Sequence, residues 1–356
     1  MPLWYPLKVS SVMAVVLAAG GTLAAAPRPA EAVTLPSAEA ASSAPCVVSE
    51  ILVNPCRHWL GARANDYPES AENFRAQTEY HEQRIGRKVD IAHTYSPVGS
   101  VPLSSKYDQY MAKRDGTYLF ANWKPAEKWR DAGGRSSSVE ARIDKAAANI
   151  KAIAPKKIFL TLHHEPENDV TTSSGCKTKP GTSGTPSEYR DMWKHVRERF
   201  DAKGVANVVW VMDYMNYYKW DCLVPKLYPG DKYVDWIMFN AYGSGGKANF
   251  VDNVTRFQKL LTSLDSPDRK LTSKPWGIVE WGVHDATQAQ ARSYYQQAAK
   301  ALSENKLPNL HAYMIFDSPG THDQGGLRIR YSDAGKTDLA EQDSYRSFAN
   351  HPKLTG

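Results

Sequence analysis

The sequence predicts an α/β chain folded as a single (β/α)8 TIM barrel. Three observations predict it. Strand-like and helix-like segments alternate from about residue 58 to residue 318. Several strand segments, such as "KIFLTLH" and "NVVWVMD", are short apolar runs, as strands covered on both faces require. No GxGxxG or P-loop motif appears, which the main alternative, an open doubly wound sheet, would favour.

Taken in order, "HWLGARA" (His58–Ala64) is the first strand, followed by a helix over "FRAQTEYHEQRIG" with Phe74, Tyr80 and Ile85 as its apolar and aromatic positions. "VDIAHTY" (Val89–Tyr95) is the second strand, and "TYLFANW" (Thr117–Trp123), rich in β-favouring aromatics, is the third. The amphipathic stretch Val139–Ala154 reads as a helix with Ser138 as its cap. Lys157–His163 is the fourth strand. The next helix, Ser187–Gly204, has Ser187 as cap and Gly204 as stop. Asn207–Asp213 and Val234–Gly243 are the fifth and sixth strands, Phe250–Leu264 a helix, and Trp276–Gly282 the seventh strand. A helix over Thr287–Glu304 leads to the eighth strand, His311–Ser318.

Ahead of the barrel the expected organisation is a signal peptide at residues 1–32 and a flexible Ala/Ser/Pro-rich segment at 33–45. The catalytic domain then fills 46–356. Lys8, the apolar run Val12–Ala26 and the small-x-small triplet Ala30-Glu31-Ala32 make the export signal. The run is short for a bilayer span, so a secreted, extracellular protein without a membrane anchor is expected. Its removal takes Lys8, Arg28 and Glu31 and lowers the net charge from +6 to +5. The basic residues are scattered, which disfavours nucleic acid as a partner. An oxidising compartment suits the four cysteines. Cys46–Cys56 and Cys176–Cys222 are the preferred pairs among three connectivities, the second stapling loops after neighbouring strands four and five. With no CxxC pair, a zinc site is the weaker rival.

A barrel carries its active site at the C-terminal ends of its strands. Those ends here bear His93 and Tyr95, Asn122 and Trp123, His163, His164 and Glu165, Asp213 and Tyr214, Asn240 and Tyr242, Glu280 and Trp281, and Asp317. Glu165 and Glu280 end strands four and seven, which face each other across the mouth. Such a pair suits glycosidic hydrolysis, where one carboxyl protonates the leaving oxygen and the other attacks the anomeric carbon. Tyr242 on strand six is placed to donate to Glu280. Trp123 and Trp281 read as sugar-stacking surfaces, against the plainer reading as core. His163 and His164 are adjacent, so in an extended strand they point to opposite faces, which argues against their sharing a metal. Either Glu alone could be a structural ion-pair partner; the joint pattern favours catalysis.

These residues resemble glycoside hydrolase family 26, of the retaining (β/α)8 clan A. "HHEPEN" after strand four and "VEWG" on strand seven carry the resemblance, with "FRAQTEYHEQRIGRKVDIAHTY" and "NWKP" alongside, over about residues 58–320. The resemblance implies a two-glutamate double displacement, with Glu165 as acid/base, His164 as its preceding partner, Glu280 as nucleophile and Tyr242 as the tyrosine contacting it. Tyr95, Trp123, Asp213, Trp281 and Phe316 are expected to bind substrate, Phe316 standing where the clan commonly carries a Trp floor. Where the family often continues with Asn-Gly and a Trp-rich loop, this chain has "PENDVTTSSGCKTKPGTSG". A monomer acting on a β-linked polysaccharide, β-mannan first, is expected, with no metal or other cofactor. β-1,3-Xylan, mixed-linkage glucan and a bacterial exopolysaccharide stay open as substrates. So do two other classes, a non-catalytic carbohydrate-binding barrel and a metal hydrolase built on His163, His164 and Asp213.

Overall fold

The computed structural model describes residues 46–64, 71–171, 181–284, 286–317, 332–333, 336–337 and 339–356. The export signal, the 33–45 segment and Cys176 lie outside them. Eight parallel strands close into a barrel in sequence order: β1 Trp59–Ala64, β2 Ile91–Ser96, β3 Tyr118–Trp123, β4 Ile158–Leu162, β5 Val208–Tyr214, β6 Trp236–Ser244, β7 Trp276–His284 and β8 Leu310–Asp317. β8 pairs back onto β1 from Trp59 opposite Ala312 to Ala64 opposite Asp317.

The longer helices between and after the strands are α1 Ala71–Ile85, α2 Lys106–Lys113, α3 Ser137–Lys151, α4 Pro186–Ala202, α5 Phe250–Ser263, α6 Gln288–Ser303 and α7 Leu339–Ala349. The five helices expected from periodicity are present. Caps differ in detail. α4 begins in a capping box in which Thr185, not Ser187, accepts from the Glu188 amide, and Pro186 supplies a preset first φ. Ser138 lies one residue inside α3, whose N-terminal flank, Ser136, makes no side-chain cap bond. α2 and α7 were not legible as separate elements. α2 is only eight residues long, capped by Ser105.

Two apolar layers hold the barrel. Inside it, Trp59, Ile91, Phe120, Phe159, Val209, Val211, Trp236, Met238, Val279, Ala312 and Met314 pack as a plug. Their outward neighbours pack under the helices in a second, larger cluster. Gly61 must be glycine, because a Cβ there would lie 2.3 Å from Met314 Cγ inside the plug. Residues 46–57, pinned by the Cys46–Cys56 disulfide, close the N-terminal end of the barrel. Leu52 joins the plug, and the carbonyls of Ile51 and Leu52 accept from the indoles of Trp236 and Trp59 at 2.6 and 2.7 Å. Cys222 is also disulfide-bonded. No described helix is long and apolar enough to cross a membrane.

Candidate active site

Alternation along β2, β3 and β5 sends every second side chain inward, and above the apolar plug those positions turn polar: His93 and Tyr95, Asn122, and Asp213. β7 departs from alternation. Phe239 and Asn240 of β6 pair with Ile278 and Glu280, and Ile278 and Trp281 pair with Tyr313 and Ile315 of β8. One extra residue, Val279, is therefore accommodated as a bulge. Strict alternation would have put Glu280 on the outward face of Ile278; the bulge turns it to the barrel mouth.

There Glu280 is held by two phenols. Tyr95 donates to Oε1, and Tyr242 donates to Oε2 at 2.8 Å. Burial, followed by the charge of Glu280, pushes both phenols well above their usual range, so they stay protonated and donate. Burial also raises the Glu280 carboxyl, and the two phenols and the Arg63 guanidinium oppose that rise. Arg63, at the end of β1, lies over the Tyr95 ring at 4.9 Å and the Phe74 ring at 4.1 Å. Tyr95 packs against His93 at 4.8 Å, whose Nε2 lies 2.6 Å from the Asn122 amide nitrogen.

Glu165 stands beyond the end of β4 through two left-handed residues. His163 has φ +58° and Glu165 φ +47°. The first stops the strand and separates the histidines. His163 turns to the outer layer, where its Nδ1 accepts from the Trp129 indole at 3.0 Å. That fixes the proton on Nε2, which donates to Asp169 at 2.6 Å. His164 turns the other way and meets the Tyr95 ring edge-on at 5.1 Å. Burial lowers it to about 3, so it is a neutral imidazole. Glu165 accepts from two side-chain amides, Asn168 at 2.8 Å and Asn240. No phenol faces it. Burial, then the charges of Glu280 and Glu167, raise its carboxyl to about 8.

The expected site residues divide. Glu165, Glu280, His164, Tyr242 and Tyr95 converge, and Phe316 meets the Tyr242 ring edge-on at 6.2 Å. Tyr95 braces Glu280. Trp123 and Trp281 do not line the mouth, which corrects the sugar-stacking expectation. Trp123 is fully buried against Phe200 and donates to the Ser100 carbonyl. Trp281 is fully buried among Phe250, Tyr295, Tyr345 and Phe348. The reason is alternation: each follows an inward polar residue, Asn122 or Glu280, and so faces the helices. Asp213 is 1 % exposed, and neither carboxyl oxygen has a hydrogen-bond partner among the described residues. Burial and the charges of Glu280, Glu165 and Glu167 all raise its carboxyl, which favours the protonated form. His163, His164 and Asp213 form no metal-ligating cluster among the described residues.

Asn240 and Arg63 are further members of this constellation. Asn240 was visible as a strand end, but only the amide's reach across β5 to Glu165 gives it a role. The signal for Arg63 was a charged residue ending an otherwise apolar first strand.

A proton-holding carboxyl and a phenol-braced carboxyl at one barrel mouth can perform acid-assisted displacement at an acetal carbon. The sequence matches glycosyl hydrolase family 26 over residues 72–303. It is 26 % identical over 177 residues to Endoglucanase H of Acetivibrio thermocellus, a match spanning 45 % of this chain and 17 % of that protein. Among solved structures, a Cellulomonas fimi endo-β-1,4-mannanase double mutant superposes with TM-score 0.57 at 16 % identity, over 84 % of this chain and 71 % of that one. A β-mannanase from a symbiotic protist of the termite Reticulitermes speratus, solved with a gluco-manno-oligosaccharide, gives 0.51 at 14 % identity, over 81 % and 86 %. These two likenesses concern the fold. With the family match covering well over half its length, the chain belongs to glycosyl hydrolase family 26 and is a glycoside hydrolase.

Proposed function

We propose that the protein is a secreted, monomeric, retaining endo-β-glycosidase that hydrolyses a β-linked polysaccharide, β-mannan first among them. The contrast between Glu165 and Glu280 carries the reading. Glu280 attacks the anomeric carbon while Glu165 gives its proton to the glycosidic oxygen, so the C–O bond breaks and the leaving chain departs as an alcohol. The sugar is left esterified to Glu280. Glu165, now ionised, takes a proton from water, whose oxygen attacks the same carbon and frees Glu280. Tyr95 and Tyr242 steady the carboxylate, and Asn240 and Asn168 orient the acid. The N-terminal Lys8 and the apolar run up to Ala26 support secretion.

A glucan is the second reading, favoured by the relative named an endoglucanase. The test is digestion of β-mannan, glucomannan, carboxymethylcellulose, mixed-linkage glucan and β-1,3-xylan. Oligosaccharide products are separated, and the first-formed anomer is read by proton NMR. Internal cleavage of mannan with β-anomeric product is expected. Inverted product, or no new reducing ends from any polymer, overturns the proposal.

A further inference from the structure

The segment after β5, "MNYYKW" (Met215–Trp220), is rooted beside Glu165. The Met215 amide donates to Glu167 Oε1 at 3.1 Å. Asn216 takes φ +58°, and its amide donates to the Asn240 carbonyl at 2.8 Å and to Asn253 at 2.9 Å. Asn240 is the residue whose side chain holds Glu165. Arg256 ties down the other side, donating to the Asn216 carbonyl at 3.1 Å and to Asp221 at 2.6 Å.

From this root project Tyr217, 37 % exposed, and Tyr218, 62 % exposed. Tyr217 stands perpendicular to Trp220 at 5.1 Å and meets Tyr218 at 5.3 Å. Lys219 lies about 6 Å from both tyrosine rings, at 6.0 and 5.8 Å. Two adjacent exposed rings contribute little to a core, yet their backbone is bolted in place. Rigid aromatic faces beside a cleft suit the apolar C–H face of a pyranose, whose hydroxyls stay in water.

We infer that Tyr217 and Tyr218 form a platform for sugar units on the leaving-group side of the scissile bond, two or more residues away from it. The inference rests on Glu165 being the acid, because the leaving chain departs past the acid and its neighbours. Continuity with the mouth identifies the occupant as the substrate polysaccharide itself.

The experiment compares kcat/KM on β-1,4-mannohexaose, or its gluco equivalent, with that on the 4-nitrophenyl glycoside of the corresponding disaccharide. In Y217A/Y218A the ratio of the two should fall about tenfold, mostly through KM on the hexasaccharide. Y217F/Y218F should keep the parent ratio. An unchanged ratio in the alanine variant overturns the platform while leaving the proposed function standing. If the parent cleaves no polymer, the proposed function falls instead. The platform is then judged by affinity electrophoresis in soluble glucomannan: retardation of the parent that Y217A/Y218A loses supports it, and equal mobility overturns it.

Discussion

Glu165 and Glu280 are the same residue type at the same barrel mouth, one beyond the end of β4 and the other inside β7. The molecule surrounds them differently. At β7 a bulge aims Glu280 into two phenolic O–H donors, with Arg63 behind one of them. At β4 two left-handed residues lift Glu165 into a place where amides hold it and like charges press on it. Phenols and a guanidinium favour a carboxylate; burial near other acids favours a carboxylic acid. The role of each glutamate is thus written in its neighbours.

The comparison breaks most sharply on removal of either carboxyl. Glu280→Ala should lose at least about 10^4-fold in kcat/KM on every glycoside, because no covalent intermediate can form. Glu165→Ala should lose about 10^2–10^4-fold on polymer but much less on a 2,4-dinitrophenyl glycoside, whose leaving group needs no proton. Added azide should restore turnover of that substrate in Glu165→Ala alone. If both variants respond alike to leaving group and azide, the assignment of roles is wrong.

Next come the phenols. Tyr242→Phe removes one donor to Glu280 without changing ring shape, and about 10^2-fold in kcat is expected. Losing a donor to the charged form raises the Glu280 carboxyl, so the acid limb of the pH–rate profile should move to higher pH. Tyr95→Phe should do the same. A drop in activity with an unmoved acid limb would make these tyrosines merely structural.

Much of this was legible in the sequence. Apolar runs broken by helices gave the barrel, and barrel geometry put Glu165 and Glu280 at its mouth, because strand ends are defined by short local patterns. Trp123 and Trp281 were misjudged because composition at a strand end does not say which face a side chain takes. In a parallel barrel both faces are covered, so an outward Trp is as buried as an inward one. The bulge at Val279 and the left-handed turns at His163 and Glu165 were invisible for a different reason. They are non-glycine departures from ideal geometry, set by packing across strands. Asn240, Arg63 and the β5 loop take their roles from partners 75 residues away or from other strands.

A smaller effect tests the proton on Glu165. With its carboxyl raised to about 8, activity should decline as pH rises through that value, tenfold per unit well above it. Glu167→Gln removes one of the charges that raise it, while the amide oxygen can still accept from Met215. The basic limb should therefore shift to lower pH by a fraction of a unit, with little change at pH 6. A basic limb that stays in place in this variant would place the acid's control elsewhere.

The smallest expected effect concerns Asp213, which sits among these carboxyls without a hydrogen-bond partner among the described residues. Its folded-state carboxyl is raised above the unfolded value of about 3.9. Between those values the folded chain holds a proton that the unfolded chain has released, so stability falls as pH rises, and the loss ends only above the raised folded-state value. Asparagine keeps the shape and the neutral charge but has no proton to lose. Asp213→Asn should therefore raise the melting temperature at pH 7, and the gain should shrink as pH falls toward about 3, where the Asp carboxyl is largely neutral in both states. A variant less stable than the parent at pH 7 would mean that Asp213 is ionised. The mouth would then hold a third carboxylate close to the proposed acid, whose charge would add to those of Glu280 and Glu167 in holding the proton on Glu165.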